Sequence, residues 1–236
     1  MHNAHIYGRS IQYSGPEDSS YLVPPSNCNL IQQIVGTFLY YGIALDNTLL
    51  VALNDISLEQ SKATDNTSKK ITKLLNYLAT HPEAVIKYHA SGMKIYVHSD
   101  ASYLSLSKAR SRAGGIHYLS DRPPNPQDPN NYTPPNNCII HVVCKILRNI
   151  LSSAAEVELG ALFLNAKEAV PIRTTLIKMN WPQPPTPIQV DNSTAVGIAN
   201  QTIKQKISKA MDMRFYWVID RIKQGQFRVY WRPSCE

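Results

Sequence analysis

Four acidic residues occupy positions from which side chains commonly bind ligands in open α/β sheets, at strand ends and helix starts. Asp100 and Asp191 each follow a short predicted strand, and Glu156 and Glu158 lie in the first turns of a predicted helix. Three carboxylates gathered in one place repel one another and are costly to desolvate, and a divalent cation removes that cost. Because hard oxygen ligands without cysteine or paired histidine favour Mg²⁺ or Mn²⁺ over zinc, we expect a site for a hard metal ion.

Helix geometry leaves both glutamates open as members of this site. Glu156 and Glu158 lie two residues apart, about 200° around a helix, so both cannot face the sheet. Each acidic residue alone also has a structural explanation, because aspartates start turns and glutamates favour the positive end of a helix. The ordered set of Asp, Glu and Asp on a strand, a helix and a strand is more specific than any single member.

The first ninety residues are predicted to form a small helical unit. Residues 1–29 are rich in Gly, Pro, Ser and Asn, which indicates an irregular lead-in. Apolar residues then recur at helical spacing from residue 30 to about 59, with an interruption at Asp46–Thr48. A second helix is predicted at about Asp65–Thr80, and His81–Pro82 ends it.

From residue 85 onward, the order of elements predicts an α/β fold, a mixed sheet with helices on its faces. The polar, proline-rich segment 121–137 is expected to form an exposed loop. The helix that follows Ser152–Ser153 is expected to run towards Pro171. The predicted strands are Val85–Tyr88, Lys94–His98, Ala113–Ser120, Ile139–Leu147, Ile188–Val190 and Gln226–Trp231, and a further helix is predicted from about Ser208 to Gln224.

The composition of the chain limits the classes of protein to which it can belong. With 236 residues, 43% hydrophobic and 17% charged, it suits one large or two small domains and is not disordered throughout. It lacks both an uninterrupted apolar run of about 18 residues and the apolar core of a signal peptide. We therefore expect a soluble intracellular protein, cytoplasmic or nuclear, whose four cysteines are free thiols.

The motifs around the acidic residues resemble one family in their order as well as their composition. From about residue 30 to 233, the sequence is similar to the C-terminal end of the Pol polyprotein of copia-type LTR retrotransposons. The similarity is carried by His98–Ser102 (first acidic motif), Ser152–Glu158 (Ser-Ser-x-Glu-Ala-Glu), Val190–Ala195 (Asp-Asn-x-x-Ala), Lys209–Phe215 (Lys-His-Ile-Asp-Ile-Arg-Phe) and Val35–Tyr41 (the helix after the polymerase palm).

The resemblance implies a ribonuclease H-like domain at residues 90–236, preceded at 1–89 by the lead-in and a remnant of the reverse-transcriptase thumb or connection region. Such domains cut the RNA strand of an RNA–DNA hybrid with two Mg²⁺ (or Mn²⁺) ions, one activating water and the other stabilising the leaving 3′ oxygen. The implied catalytic residues and metal ligands are Asp100, Glu158 and Asp191. Glu158 is favoured over Glu156 because Glu158–Leu162 matches the family's glutamate followed by small and apolar residues.

The sequence departs from the family pattern in three respects. Family members carry a fourth carboxylate a few residues beyond the final strand, whereas this sequence ends at Glu236, so we expect a C-terminally truncated domain with weakened metal binding. The segment 121–137 is long for a link between two strands. No Tyr-x-Asp-Asp polymerase motif occurs, so the chain is not expected to synthesise DNA.

The expected substrate is an RNA–DNA hybrid, which is recognised mainly through backbone charge, shape and 2′-hydroxyl groups. The net charge of +7 suits such a polyanion. The candidate nucleic-acid-binding residues are Asn192, Ser193, Thr194, Lys204, Lys206 and Lys209, and an ordinary solvated surface is the alternative for the lysines.

Two further functions and one further partner stay open at this point. The first alternative is a catalytically degenerate nucleic-acid-binding fragment of Pol, because a fold does not guarantee an activity. The second is another nuclease or transposase of the same fold, which would cut DNA duplex. The rest of a Pol polyprotein is a candidate partner, no membrane partner is expected, and the oligomeric state is left open.

Overall fold

The computed structural model describes residues 18–106, 110–121, 137–147, 151, 153–203 and 212–233. The predicted loop at 121–137 and the start of the predicted helix at 208–224 therefore lie largely outside the described residues. Within the described part of the chain, no helix combines the length and the apolar character needed to cross a membrane.

Three helices form the N-terminal helical unit: α1 (Pro25–Ala44), α2 (Leu50–Glu59) and α3 (Asp65–Thr80). A short 3₁₀ turn separates α1 from α2, and the Asp46 side chain accepts a hydrogen bond from the Thr48 N–H there. Thr64 and Thr67 form a reciprocal capping box that starts α3. Buried apolar side chains from all three helices, including Ile31, Leu53 and Ile71, form one core. The predicted interruption and the bounds of the second predicted helix are confirmed.

Five strands form a single mixed sheet in the order β3-β2-β1-β4-β5. They are β1 (Lys94–Leu106), β2 (Arg110–Ser120), β3 (Ile139–Ile146), β4 (Thr186–Val190) and β5 (Phe227–Trp231). The pairs β1–β2 and β2–β3 are antiparallel, whereas β1–β4 and β4–β5 are parallel. In the described residues, three further helices accompany the sheet: α4 (Ala154–Lys178), α5 (Ser193–Ala199) and α6 (Asp212–Lys223). The predicted mixed sheet with flanking helices after a helical unit is confirmed.

The strand predicted at Val85–Tyr88 is wrong. These residues adopt no regular secondary structure, and Val85 is 72% exposed and Tyr88 59% exposed. The segment is instead held by polar contacts, because the Tyr88 hydroxyl donates to the Ile139 carbonyl and the His89 N–H donates to Asn137 Oδ1. An apolar run predicts a strand only where a neighbouring strand is available to pair with it.

The first predicted strand of the sheet is longer than expected, so Asp100 lies inside β1 and not at its end. Pairing with β2 continues beyond it, from Asp100 opposite Gly114 to Leu106 opposite Arg110. A register shift between Ser102 and Leu106 accommodates the far end of this pairing. Residues 99–106 carry no strand pattern that predicts the extension, because they are mostly small and polar.

Two helices also differ from expectation. Helix α4 continues through Pro171 to Lys178, because a proline inside a helix removes one hydrogen bond without always ending the helix. Helix α5 was not predicted, and Asn192 caps it by accepting a hydrogen bond from the Ala195 N–H.

Polar contacts join the helical unit to the sheet. The Asn54 amide of α2 donates to the Cys144 carbonyl of β3 at 3.0 Å. Asp55 of α2 forms an ion pair with Arg112 of β2, whose side chain is only 12% exposed. The boundary near residue 90 stays a prediction, but the two parts are in direct contact across it.

His117 of β2 is a fully buried histidine that packs against α4. Its Nε2–H donates to the Asn165 carbonyl at 3.1 Å, and its ring centroid lies 5.1 Å from that of His141. Burial, more than any neighbouring charge, lowers the pKa of His117 to about 4. The neutral imidazole is therefore the form that the fold stabilises.

We predict that His117 makes the protein less stable in mild acid. Its pKa is lower in the folded chain than in the unfolded chain, so stability is present above pH 6.5 and is lost as the pH falls towards 4. Between pH 7.5 and pH 5, urea unfolding should show a loss about 2 kcal/mol larger for the wild type than for His117→Gln. The exposed His89→Gln variant should behave like the wild type, and equal losses in all three proteins would contradict the prediction.

Two glycines of α1 offer a matched test of its packing. A Cβ at Gly36 would meet no atom within 4 Å, whereas one at Gly42 would lie 3.1 Å from Leu50 Cδ2. Gly36→Ala should raise the free energy of unfolding by about 0.5–1 kcal/mol, because alanine loses less backbone entropy on folding. Gly42→Ala should be less stable than Gly36→Ala in the same thermal and urea unfolding series. The reverse order would mean that α1 packs on its other side.

Candidate active site

Asp100, Glu158 and Asp191 form one cluster of carboxylates. One oxygen from each lies within 4.8 Å of the others, and within the described residues this is the group that could hold a metal ion. Parallel pairing of β1 with β4 places His98 opposite Gln189, so Asp100 and Asp191, each two residues further on, reach the same level of the sheet. The structure therefore brings together the three side chains that the sequence nominated.

Glu158, and not Glu156, belongs to this cluster. The Glu156 N–H donates to the Ser153 side chain that caps α4, which places Glu156 in the first, partly exposed turn. Glu158 lies in a continuous buried run and is only 5% exposed. Glu158 faces the cluster because it lies on the apolar side of α4 that packs against the sheet.

The electrostatics of the cluster favour a bound cation. Burial, followed by the charges of Asp191 and Asp100, raises the pKa of Glu158 to about 8, although a hydrogen bond from the Ala101 N–H opposes the rise. Burial and the charge of Asp191 also raise the pKa of Asp100. Both shifts report carboxylates that lack a counter-charge.

The donor set fits a hard divalent ion. Glu158 Oε2 is buried, and no group in the described part of the chain forms a hydrogen bond with it, so an oxygen lone pair is available inside the cluster. Oxygens that share one Mg²⁺ at about 2.1 Å are separated by about 3–4 Å, which the observed upper limit permits. Magnesium and manganese both suit three carboxylates with no sulfur or nitrogen donor.

The end of β5 fixes the backbone at Asp191. The Trp231 indole N–H donates to the Asp191 carbonyl at 2.9 Å, and the Arg232 N–H donates to the Val190 carbonyl at 3.1 Å. On the other side of the cluster, the Ala101 N–H donates to Asp100 Oδ1 at 2.8 Å. Hydrogen bonds from residues outside the cluster therefore hold both Asp100 and Asp191.

The predicted nucleic-acid-binding residues are only partly described. Ser193 and Thr194, in the first turn of α5, are exposed, whereas Asn192 is half-buried and uses its side-chain oxygen to cap α5. Lys204, Lys206 and Lys209 lie outside the described residues, so their role stays a prediction.

Two features of the site were not predicted from the sequence. The first is Asn165, a buried amide beside the cluster, for which the only signal was a polar residue within an apolar helix. The second is a groove of about 360 Å³ that runs from Asp100 across the sheet to the helical unit. The groove is lined on the helical side by Asn47, Leu50 and Val51 and on the sheet side by Ser102, Arg112, Ile116, Val142 and Cys144, among others.

Comparison with known proteins gives similarity to solved structures alone. No family model and no curated protein sequence matches the chain. A ribonuclease H1 isolated from compost by a metagenomic approach is 11% identical, with a TM-score of 0.42 over 60% of this chain and 85% of that chain. Ribonuclease H1 of Halobacterium salinarum is 9% identical, with a TM-score of 0.38 over 60% of this chain and 86% of that chain.

A viral enzyme is similar over more of the chain. A foamy viral protease–reverse transcriptase in complex with an RNA/DNA hybrid is 10% identical, with a TM-score of 0.47 over 91% of this chain and 27% of that chain. Because all three TM-scores are below 0.5, the function is inferred from the site itself.

We predict opposite effects of Glu158→Gln on stability and on metal binding. The pKa of Glu158 is raised from 4.5 to about 8, so the metal-free fold loses stability as the pH rises across that interval, and glutamine removes this loss. Glutamine also removes a charged ligand, so the dissociation constant for Mn²⁺ should rise at least about 10-fold. Urea unfolding at pH 5 and pH 8 and titration with Mn²⁺ measure the two effects.

Glu156→Gln is the matched control, because it changes the same functional group two residues away. It should leave both the pH dependence and the Mn²⁺ affinity close to those of the wild type. Equal effects of the two substitutions would contradict the assignment of Glu158 to the cluster.

Proposed function

We propose that this chain is a metal-dependent ribonuclease that hydrolyses the RNA strand of an RNA–DNA hybrid. The observation that carries the proposal is the convergence of Asp100, Glu158 and Asp191, from a strand, a helix and a strand end, within 4.8 Å. Three carboxylates at this spacing destabilise one another unless a cation joins them, which is the arrangement that phosphoryl-transfer sites use. The order of the three residues is the one in the family that the sequence resembles.

We further propose that the ribonuclease H-like domain, residues 90–236, comes from a copia-type retrotransposon Pol polyprotein. Residues 1–89 then correspond to the lead-in and to a remnant of the thumb or connection region. The motifs that surround the three carboxylates support this origin, as does the helical unit in contact with the sheet. The rest of the Pol polyprotein is the partner that this origin implies.

In the proposed mechanism, Asp100, Glu158 and Asp191 would hold two Mg²⁺ or Mn²⁺ ions. When bound, these ions lower the pKa of water and neutralise charge on the phosphate and on the leaving oxygen. Glu158 holds a proton at neutral pH in the metal-free chain and releases it when a cation binds, because its pKa is raised to about 8. The Ala101 N–H orients Asp100, and Trp231 holds the backbone of Asp191.

An open surface around the cluster suits a polymeric substrate. Asp100 is exposed and lines the groove that leads across the sheet to the helical unit. The net charge of +7 attracts a polyanion over a distance set by the salt concentration. Backbone recognition of this kind predicts cleavage with little dependence on base sequence.

We predict that the purified chain cuts labelled RNA in an RNA–DNA hybrid in the presence of Mg²⁺ or Mn²⁺. Asp100→Asn should lower kcat at least about 100-fold, because it removes a charged metal ligand, while binding of the hybrid measured by fluorescence anisotropy persists. Asp220→Asn, which changes an exposed carboxylate on α6, should retain wild-type activity.

Two other results of this experiment would contradict the proposal. Hybrid binding without cleavage at any Mg²⁺ or Mn²⁺ concentration would identify a degenerate nucleic-acid-binding fragment. This outcome is worth testing because the metal-binding group found among the described residues has three carboxylates. Cleavage of DNA duplex in preference to the hybrid would identify a different nuclease of the same fold.

A further inference from the structure

Asn165 is a fully buried amide on the side of α4 that faces the sheet. It lies seven residues after Glu158, which places both side chains on the same face of the helix about 10 Å apart along its axis. Its neighbours on this face are apolar, among them Leu162, Ala166 and Ala169. Apolar contacts are not directional, so they do not by themselves fix how far a helix slides along a sheet.

The Asn165 amide nitrogen links three elements at one point. It lies 3.1 Å from Ser99 Oγ of β1, 2.9 Å from the Gly114 carbonyl of β2 and 3.0 Å from the Ala161 carbonyl of its own helix. Ser99 directly precedes Asp100, and Gly114 pairs with Asp100 across the sheet. The hydrogen bonds of Asn165 therefore end at the two residues that flank Asp100 along the chain and across the sheet.

Strand β2 is shaped to receive this amide. A Cβ at position 115 would lie 1.8 Å from Asn165 Oδ1 and 2.3 Å from its Cγ, so Gly115 provides space that no other residue would leave. His117, two residues further along β2, donates its Nε2–H to the Asn165 carbonyl at 3.1 Å. Both the side chain and the backbone of Asn165 are thus held by β2.

The same amide carries an unfavourable feature. Asn165 Oδ1 is buried and has no hydrogen-bond partner among the described residues, and an unsatisfied buried oxygen weakens the fold. An apolar side chain would avoid this cost, so stability alone does not explain an asparagine here. Directional bonds to the residues around Asp100 are what an apolar residue would lose.

We propose that Asn165 is a positioning residue that sets the register of α4 against β1 and thereby holds Glu158 beside Asp100. The inference rests on the proposed function, because it concerns the geometry of the proposed metal site. Asn165 bonds this helix face to β1 through Ser99, and Glu158, two turns earlier on the same face, lies with Asp100 in the carboxylate cluster. Loss of the bond to Ser99 leaves Glu158 free to shift along the strand.

A three-variant cycle separates positioning from space filling. Asn165→Ala removes the hydrogen bonds and leaves a void, Gly115→Ala forces its Cβ into the amide, and the double variant fills the void without restoring any hydrogen bond. Each protein is characterised by urea unfolding, by the dissociation constant for Mn²⁺ and by kcat and KM on the hybrid.

We expect Asn165→Ala to raise the dissociation constant for Mn²⁺ about 10-fold and to lower kcat with little change in KM for the hybrid. The double variant should lose less unfolding free energy than the sum of the losses in the two single variants. Its Mn²⁺ affinity should nevertheless stay reduced. Recovery of wild-type Mn²⁺ affinity together with stability in the double variant would overturn the proposal, as would wild-type affinity in Asn165→Ala.

Two further variants keep the test decisive if a core substitution impairs folding. Ser99→Ala removes only the β1 partner of Asn165 and should weaken Mn²⁺ binding in the same direction by a smaller factor. Asn137→Ala removes another multiply bonded amide, which donates to the His89 and Leu119 carbonyls at the opposite end of β2, and should lower stability without changing Mn²⁺ affinity. Equal losses of Mn²⁺ affinity in Ser99→Ala and Asn137→Ala would overturn the proposal.

The experiments distinguish failure of the proposed nuclease function from failure of the proposed role of Asn165. A wild-type chain that binds Mn²⁺ but leaves the hybrid uncut contradicts the proposed function, and the Mn²⁺ comparison still decides the role of Asn165. A wild-type chain that does not bind Mn²⁺ overturns both.

Discussion

The mutual repulsion of three carboxylates is the constraint on which the rest of this structure depends. Asp100, Glu158 and Asp191 are held within 4.8 Å of one another, and burial of Glu158 removes the water that would otherwise screen their charges. The folded chain keeps them together in spite of this repulsion, so apolar packing elsewhere must outweigh it. A cation relieves the repulsion, which makes ion binding and folding mutually stabilising.

The sheet and α4 supply that packing. Val97, Ile188 and Val190 are fully buried in the two central strands that lead to Asp100 and Asp191. Parallel pairing of β1 with β4 fixes the two aspartates at one level, since both strands run in the same direction from paired residues. Helix α4 then crosses this core, and its buried face carries both Glu158 and the amide of Asn165.

The helical unit extends the surface around the site. Asn54 and Asp55 of α2 contact β3 and β2, and the neighbouring Leu50 and Val51 line the groove that reaches Asp100. Residues of α2 and Asp100 of the carboxylate cluster thus line the same groove. The contacts therefore connect α2 with the site in space.

The sequence alone determined the features that depend on residues close together in the chain, namely helix bounds and the candidate acidic residues. Apolar periodicity and the stop at His81–Pro82 predicted the bounds of α3, and the order of the acidic residues nominated Asp100 and Asp191 with one of two glutamates. Only the tertiary structure decided that Glu158 faces the cluster, that β1 runs on past Asp100 and that Asn165 joins helix to sheet. Such features depend on which surfaces meet, and contacts between residues distant in the chain leave no periodic signal in it.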